Sequence, residues 1–473
     1  MTEQQGTKLG TTDARRPSAG ELGLAACTAL VVGNMIGSGI FLLPASLAAF
    51  GPISLGGWIV TSLGALILAV VFGRLSRIVT KTGGPYAYTQ EGYGEFAGFI
   101  IAWGYWIALW TGNAAVAVAL AGYVGFLIPA VGTSEAYSLA VALLAIWTLT
   151  LINVRGVQEA GFVQIVTTVL KLVPLVLIGT LGFFWVDSTN FTPINTSGKS
   201  DLAAISGAAA LTLWAYLGLE SATVPAGNVI EPEKTIPRAT ILGVLVAAAV
   251  YIAVTTVAIG VVSPEMLALS TAPLADVSRE MWGAAGGVLV AIGAVISTFG
   301  TLNGFTLLCG QVPYGAALDH IFPERLGKLS RYGTPANALV FSNLLASILV
   351  IMNFAKGLVG AFNTIILLAV MSSLLPYALC SLAELMILVR TGRTSGAPAV
   401  VKTALLGSLG FAYSLWALYG AGAQTVFLGF LLVLAGIPIH VWIKWRNATM
   451  RLGEPVQSRA STTAPVSELG QST

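Results

Sequence analysis

Apolar residues run along this chain in long stretches that are hydrophobic all round, with no period-two alternation. Segments 96–134, 239–264, 281–318 and 403–442 contain no Asp, Glu, Lys or Arg, and each holds one or two spans of about 20 residues. A barrel strand would alternate apolar and polar positions over about ten residues, so an outer-membrane barrel is excluded. The pattern predicts an all-α polytopic membrane protein with twelve spans: 21–49, 53–72, 96–128, 136–154, 160–185, 202–229, 239–262, 283–312, 336–354, 361–388, 402–420 and 424–443. Polar tails, 1–20 and 444–473, flank them and read as largely disordered.

Composition agrees with a lipid solvent. Of 473 residues 56% are hydrophobic and 9% charged, too few charges to build a wetted surface. The net charge of +3 is scattered through short loops, so nucleic acid is not an expected partner. Its distribution is topological. Nineteen of the 23 Lys and Arg fall on the side of the termini, three (Lys199, Arg279, Lys356) on the opposite side, and Lys171 lies inside a span. Positive charge stays in the cytoplasm, which places both termini there, in an inner (plasma) membrane. The first apolar run shows no small-residue cleavage site, so it is expected to remain as a helix.

Several chemistries find no support. Cys27, Cys309 and Cys380 sit in apolar runs without pair spacing and read as packing residues, not as a disulfide or metal set. The two histidines, His320 and His440, are far apart, and no loop is long enough to hide a catalytic domain, so no enzyme and no cofactor is expected. Repeated filter sequences, which a channel would need, are absent. Asn190 and Asn195 begin glycosylation-type triplets that matter only in a eukaryotic secretory route.

Two interruptions carry the candidate chemistry. In the first span Gly33, Gly37 and Gly39 fall within seven residues, each costing roughly 1 kcal/mol against Ala in a helix interior. Freed amides at the start of the second half-helix suit a carboxylate. A close-packing face built on Gly33 and Gly37 explains the same glycines. In the sixth span, Trp214 to Glu220 brings a carboxylate to mid-membrane beside Gly218. Breaks at corresponding places five spans apart are the sign of an inverted repeat with a midplane binding site, which favours the functional reading.

Three motifs then become recognisable: 33–41 (GNMIGSGIF), 83–88 (GGPYAY), and 213–221 (LWAYLGLES) followed by 231–237 (EPEKTIP). Over about residues 21–443 the chain resembles the amino acid/polyamine/organocation superfamily, and within it the basic amino acid/polyamine antiporters, the arginine/agmatine exchangers above all. The resemblance implies the leucine-transporter fold: a first repeat over 21–185, a second over 202–390, two added helices over 402–443, and usually a homodimer. It implies alternating-access exchange of small amino acids or amines. Ser38 and Gly39 would hold a substrate carboxylate, and the carbonyls of Met35, Trp214 and Leu217 its amino group. Asn113 would contact the substrate, while Tyr105, Trp214 and Glu220 would serve gating and pH response.

Departures from the family pattern matter as well. Phe305 stands where arginine carriers place a tryptophan, and Leu367 where a polar residue is usual, which shifts weight toward neutral or partly cationic substrates. Lys171 replaces an apolar residue; other branches of the superfamily carry a lysine there whose ammonium takes the place of sodium. Inside a bilayer it costs about 2.5–3.5 kcal/mol on insertion scales, so it should face a partner, with snorkelling the bland reading. Its role is expected to be support of the unwound first helix, with or without proton transfer. Proton-coupled uptake of neutral amino acids, or substrate sensing without transport, are the competing functions.

Overall fold

The computed structural model describes residues 22–79, 84–156, 160–223, 229–392 and 397–453. Helices follow one another along the chain: α1 (Leu24–Met35), α2 (Ser38–Ala48), α3 (Ser54–Ile78), α4 (Pro85–Tyr93), α5 (Glu95–Leu127), α6 (Pro129–Gly132), α7 (Glu135–Arg155), α8 (Ala160–Leu181) and α9 (Asp201–Leu213). After the second interruption come α10 (Pro232–Val261), α11 (Pro264–Leu269), α12 (Pro273–Leu318), α13 (Ala336–Phe354), α14 (Leu358–Thr391), α15 (Ala397–Ala421), α16 (Ala423–Leu434) and α17 (Gly436–Gly453). Among the described residues extended pairing is limited to one isolated bridge, Leu22 with Val229.

Among the described residues ten helices are long and apolar enough to cross a bilayer, and α1 with α2, hinged by 40°, makes an eleventh if the pair is one span. The fifth expected span corresponds to α8, of which the described apolar part is the shorter helix Leu170–Trp185. The chain is therefore a multi-pass helical membrane protein. Only helices satisfy every backbone donor and acceptor within one segment once water is gone. Their starts are marked locally: proline opens α4, α6, α10, α11 and α12, and the hydroxyls of Ser134 and Ser200 cap α7 and α9.

Burial separates centre from periphery. In α5, 94% of the apolar window is buried inside the protein, whereas the last span, 423–446, buries 22% and presents most of its side chains to lipid. Broad contact between α5, α12 and α14 places the core around α5. The segment between α8 and α9 straps across the end of α2: Ile53 N–H donates to the Ile194 carbonyl at 2.8 Å and Thr196 N–H to Phe50 at 3.1 Å.

One expectation changes here. The expected tail at 444–473 begins later, because α17 continues to Gly453. It is held by Arg446 on Glu324 at 2.9 Å and by Lys444 on Glu95. The disorder expected for 1–20 and for the rest of the second tail falls outside the described residues.

One ion pair ties three helices together. Arg74 of α3 clasps Glu384 of α14 through both nitrogens, at 2.7 and 2.6 Å, and donates to Thr403 of α15 at 2.6 Å. A bidentate, largely buried pair of this kind resists loss of one partner far more than a surface pair does. Glu384→Ala is expected to lower the melting temperature in detergent by the equivalent of about 2 kcal/mol, and Thr403→Val by clearly less. Equal, small shifts for both variants would show that the pair adds nothing.

Candidate functional site

Helix α1 ends at Met35 and α2 begins at Ser38, so Ile36 and Gly37 form the first break. The second runs from a tight turn at Trp214–Tyr216 through Gly218, whose φ of +100° is the left-handed conformation that favours glycine. The two breaks touch. A Cβ on Gly218 would come 3.2 Å from Asn34, and one on Gly39 would come 3.0 Å from the Ala215 methyl and 3.3 Å from Trp214 Cδ1.

Each break leaves backbone groups that the bilayer cannot satisfy, and side chains from other helices supply partners. Lys171 Nζ donates to the Gly33 carbonyl at 2.5 Å. A hydrogen bond to a charged group contributes about 1.5–3 kcal/mol, comparable to the insertion cost of the ammonium, so this buried lysine is tolerable. Tyr251 of α10 donates to the Ala215 carbonyl at 2.9 Å, and the Tyr216 hydroxyl pairs with Ser62 at 2.6 Å. Trp58, Tyr216 and Tyr251 pack on one another and hold the second break from behind.

Glu220 sits at the end of the second break, buried, and accepts from two phenols: Tyr105 of α5 at 3.2 Å and Tyr377 of α14 at 2.8 Å. One carboxylate thus joins a broken helix to two continuous ones. Lys171 and Glu220 do not pair with each other, since each has its own partners.

The aromatic wall is shared by three elements. Trp214 and Phe305 lie with ring centroids 6.1 Å apart, inclined by 42°. Gly112 of α5 faces both: a Cβ there would fall 2.8 Å from Phe305 Cε1 and 2.9 Å from Trp214 Cη2. The indole therefore reaches from Gly39, near its Cδ1, to Gly112, near its Cη2. At the Gly39 end, the first amides of α2 have no partner within the helix, and the buried Ser38 hydroxyl is unpaired. That end offers N–H groups and a hydroxyl, and the other end is an aromatic face.

Of the residues expected from sequence, Gly39, Trp214 and Phe305 meet at this wall, with Ser38 next in the chain to Gly39, while Tyr105 and Glu220 meet each other. The Met35 and Trp214 carbonyls already receive turn amides, from Gly37 at 2.9 Å and Leu217 at 3.3 Å, so a ligand would share them. Leu217 is buried on the turn, and Leu367 of α14 packs against the core half-buried. Asn113 is engaged with Thr306 and Asn343. Among the described residues no group of His, Cys, Asp and Glu could hold a metal ion, and the three cysteines are buried and free. Sequence reasoning missed Gly112, Tyr251, Tyr377 and Asn343. A tyrosine in the middle of an apolar span was the available signal for Tyr251 and Tyr377.

The amino acid permease family profile matches residues 22–445 of this chain. The chain is 34% identical over 456 residues to an arginine/ornithine antiporter of Pseudomonas aeruginosa, covering 93% of each. It is 33% identical to a putative arginine/ornithine antiporter of Bacillus subtilis, covering 88% of this chain and 95% of that one. A cadaverine/lysine antiporter of Escherichia coli K12 is 35% identical over 366 residues, 76% of this chain and 82% of the relative.

The glycine at 112 leaves a clear expectation. Gly112→Val puts two methyls into the Trp214–Phe305 contact, and overpacking of this kind costs about 1–3 kcal/mol. The variant should elute as the parent does from size exclusion yet lose at least about tenfold in ligand affinity, read as ligand-induced thermal stabilisation. Parent-like stabilisation would place the binding site elsewhere.

Proposed function

Since the chain belongs to the amino acid permease family, within the basic amino acid/polyamine antiporter branch of its superfamily, we propose that it exchanges cationic amino acids or their amine derivatives across the plasma membrane by alternating access. The observation that carries this reading is the Trp214 indole, which spans from the unpaired amides of α2 at Gly39 to the Phe305 face at Gly112. A substrate laid along it has its carboxylate on the Ser38 and Gly39 amides, favoured by the helix N-terminus. Its amino group reaches the carbonyls of Met35, Trp214 and Leu217. Its aliphatic chain lies on the indole, and its charged end meets Phe305 and Asn113.

The working parts follow from the same contacts. We take 21–185 and 202–390 as the two inverted repeats, 402–443 as the added helices, both termini as cytoplasmic, and the assembly as a homodimer. Glu220 with Tyr105 and Tyr377 is the latch that binds the second break to α5 and α14 and parts as the site changes sides. Lys171 on Gly33 braces the first break, which makes a sodium ion unnecessary there. Relatives named for arginine, ornithine, lysine and cadaverine support an amine substrate in spite of Phe305 and Leu367. Those two apolar positions favour a second reading, proton-coupled uptake of neutral amino acids.

Counterflow distinguishes them. Proteoliposomes loaded with unlabelled ornithine should take up labelled ornithine without sodium or a proton gradient, and arginine, lysine or cadaverine should compete better than leucine. Gly39→Leu should abolish this uptake, and Phe305→Trp should sharpen the preference for cations. Uptake that needs a proton gradient and ignores internal substrate would select the second reading, and stimulation by sodium would remove the role given to Lys171.

A further inference from the structure

Beside the far end of the Trp214 indole, three buried polar side chains from three helices form a hydrogen-bond relay: Asn113 of α5, Thr306 of α12 and Asn343 of α13. Asn113 and Thr306 directly follow Gly112 and Phe305, the two residues that meet the benzene end of the indole and each other. The direction of the relay is fixed at one end. Asn343 Nδ2 donates to the Leu339 carbonyl at 3.1 Å, and a carbonyl only accepts, so Asn343 turns its Oδ1 toward Asn113. Asn113 Nδ2 donates to that oxygen at 2.5 Å and to Thr306 Oγ1 at 3.2 Å. Both amide hydrogens are used. The capacity left on Asn113 is its Oδ1, which accepts from the Thr306 hydroxyl at a long 3.4 Å and keeps a lone pair free.

We propose that Asn343 is a positioning residue that sets substrate selectivity: by taking one Asn113 hydrogen while Thr306 takes the other, it makes Asn113 an acceptor, which favours substrates whose side chain ends in N–H donors over isosteres ending in a carbonyl. The inference rests on the amine exchange proposed above. Without Asn343 the Asn113 carboxamide is free to turn over and offer its NH2, and discrimination between the two kinds of end group falls. Polar contacts between helices in a membrane contribute modestly to stability, so the relay has room to serve selectivity instead.

Arginine and citrulline form the test pair, because they differ chiefly in a guanidinium nitrogen replaced by a ureido oxygen. In ornithine counterflow, the ratio of their inhibition constants should fall about tenfold in Asn343→Leu, the equivalent of one hydrogen bond. Asn343→Asp retains an acceptor for Asn113 and should restore the parental ratio. Asn153→Leu, which removes another buried span amide, should leave the ratio unchanged and so controls for general loss of polar packing. If Asn343→Leu does not assemble, Thr306→Val removes the other acceptor and should lower the ratio in the same direction by more than about twofold. An unaltered ratio in whichever variant assembles, or failure of Asn343→Asp to restore it, overturns the proposal. A parent protein that exchanges no ornithine would sink the amine reading itself, whereas a competent parent with an unmoved ratio in the variants sinks the Asn343 role alone.

Discussion

Backbone polar groups inside a bilayer must find partners within the protein, and the arrangement of this molecule around its site follows from two places where helices break that rule. Between Met35 and Ser38, and again from Trp214 to Glu220, the intrahelical ladder is interrupted and the chain needs donors from elsewhere. Lys171 and Tyr251 are brought from α8 and α10 to meet that need. The fold around the breaks is a set of answers to orphaned carbonyls. The first amides of α2 have no partner within the helix and no side-chain cap.

The two intramembrane charges solve separate problems. Lys171 is spent on one carbonyl of the first break, so its ammonium stabilises a conformation. Glu220 is shared between Tyr105 and Tyr377, so its carboxylate connects the second break to α5 and α14. Hydroxyl-to-carboxylate bonds of this sort are among the stronger hydrogen bonds in proteins. Close approach does the rest: Gly39 against Ala215, Gly218 against Asn34 and Gly112 against two rings leave no space for a side chain at any of the three.

Much of the fold and part of the site were legible in the sequence, for identifiable reasons. Apolar runs of bilayer length report helices directly, and the glycines around Ile36 together with Glu220 in an apolar span mark both breaks, because each is a local violation of what a span should contain. The cost of an unpartnered Lys171 predicted a partner, though not that it is a carbonyl 138 residues away in sequence. Tyr377 meets Glu220 across 157 residues, Tyr251 meets Ala215 across 36, and Asn343 meets Asn113 across 230. No spacing rule on one helix encodes such pairs. Gly112 was read past because its meaning lies in the two rings it faces, and the extension of α17 to Gly453 depends on carboxylates at Glu95 and Glu324 that its own polar composition does not reveal.

The central claim is that the N-terminus of α2 and the Trp214 indole together form the substrate site. An experimental structure with bound L-ornithine tests it most directly. The account predicts the carboxylate within hydrogen-bonding distance of the Ser38 and Gly39 amides and the aliphatic chain along Trp214 toward Phe305. Ornithine bound away from the two helix breaks, with the α2 amides left to backbone or solvent, would contradict it.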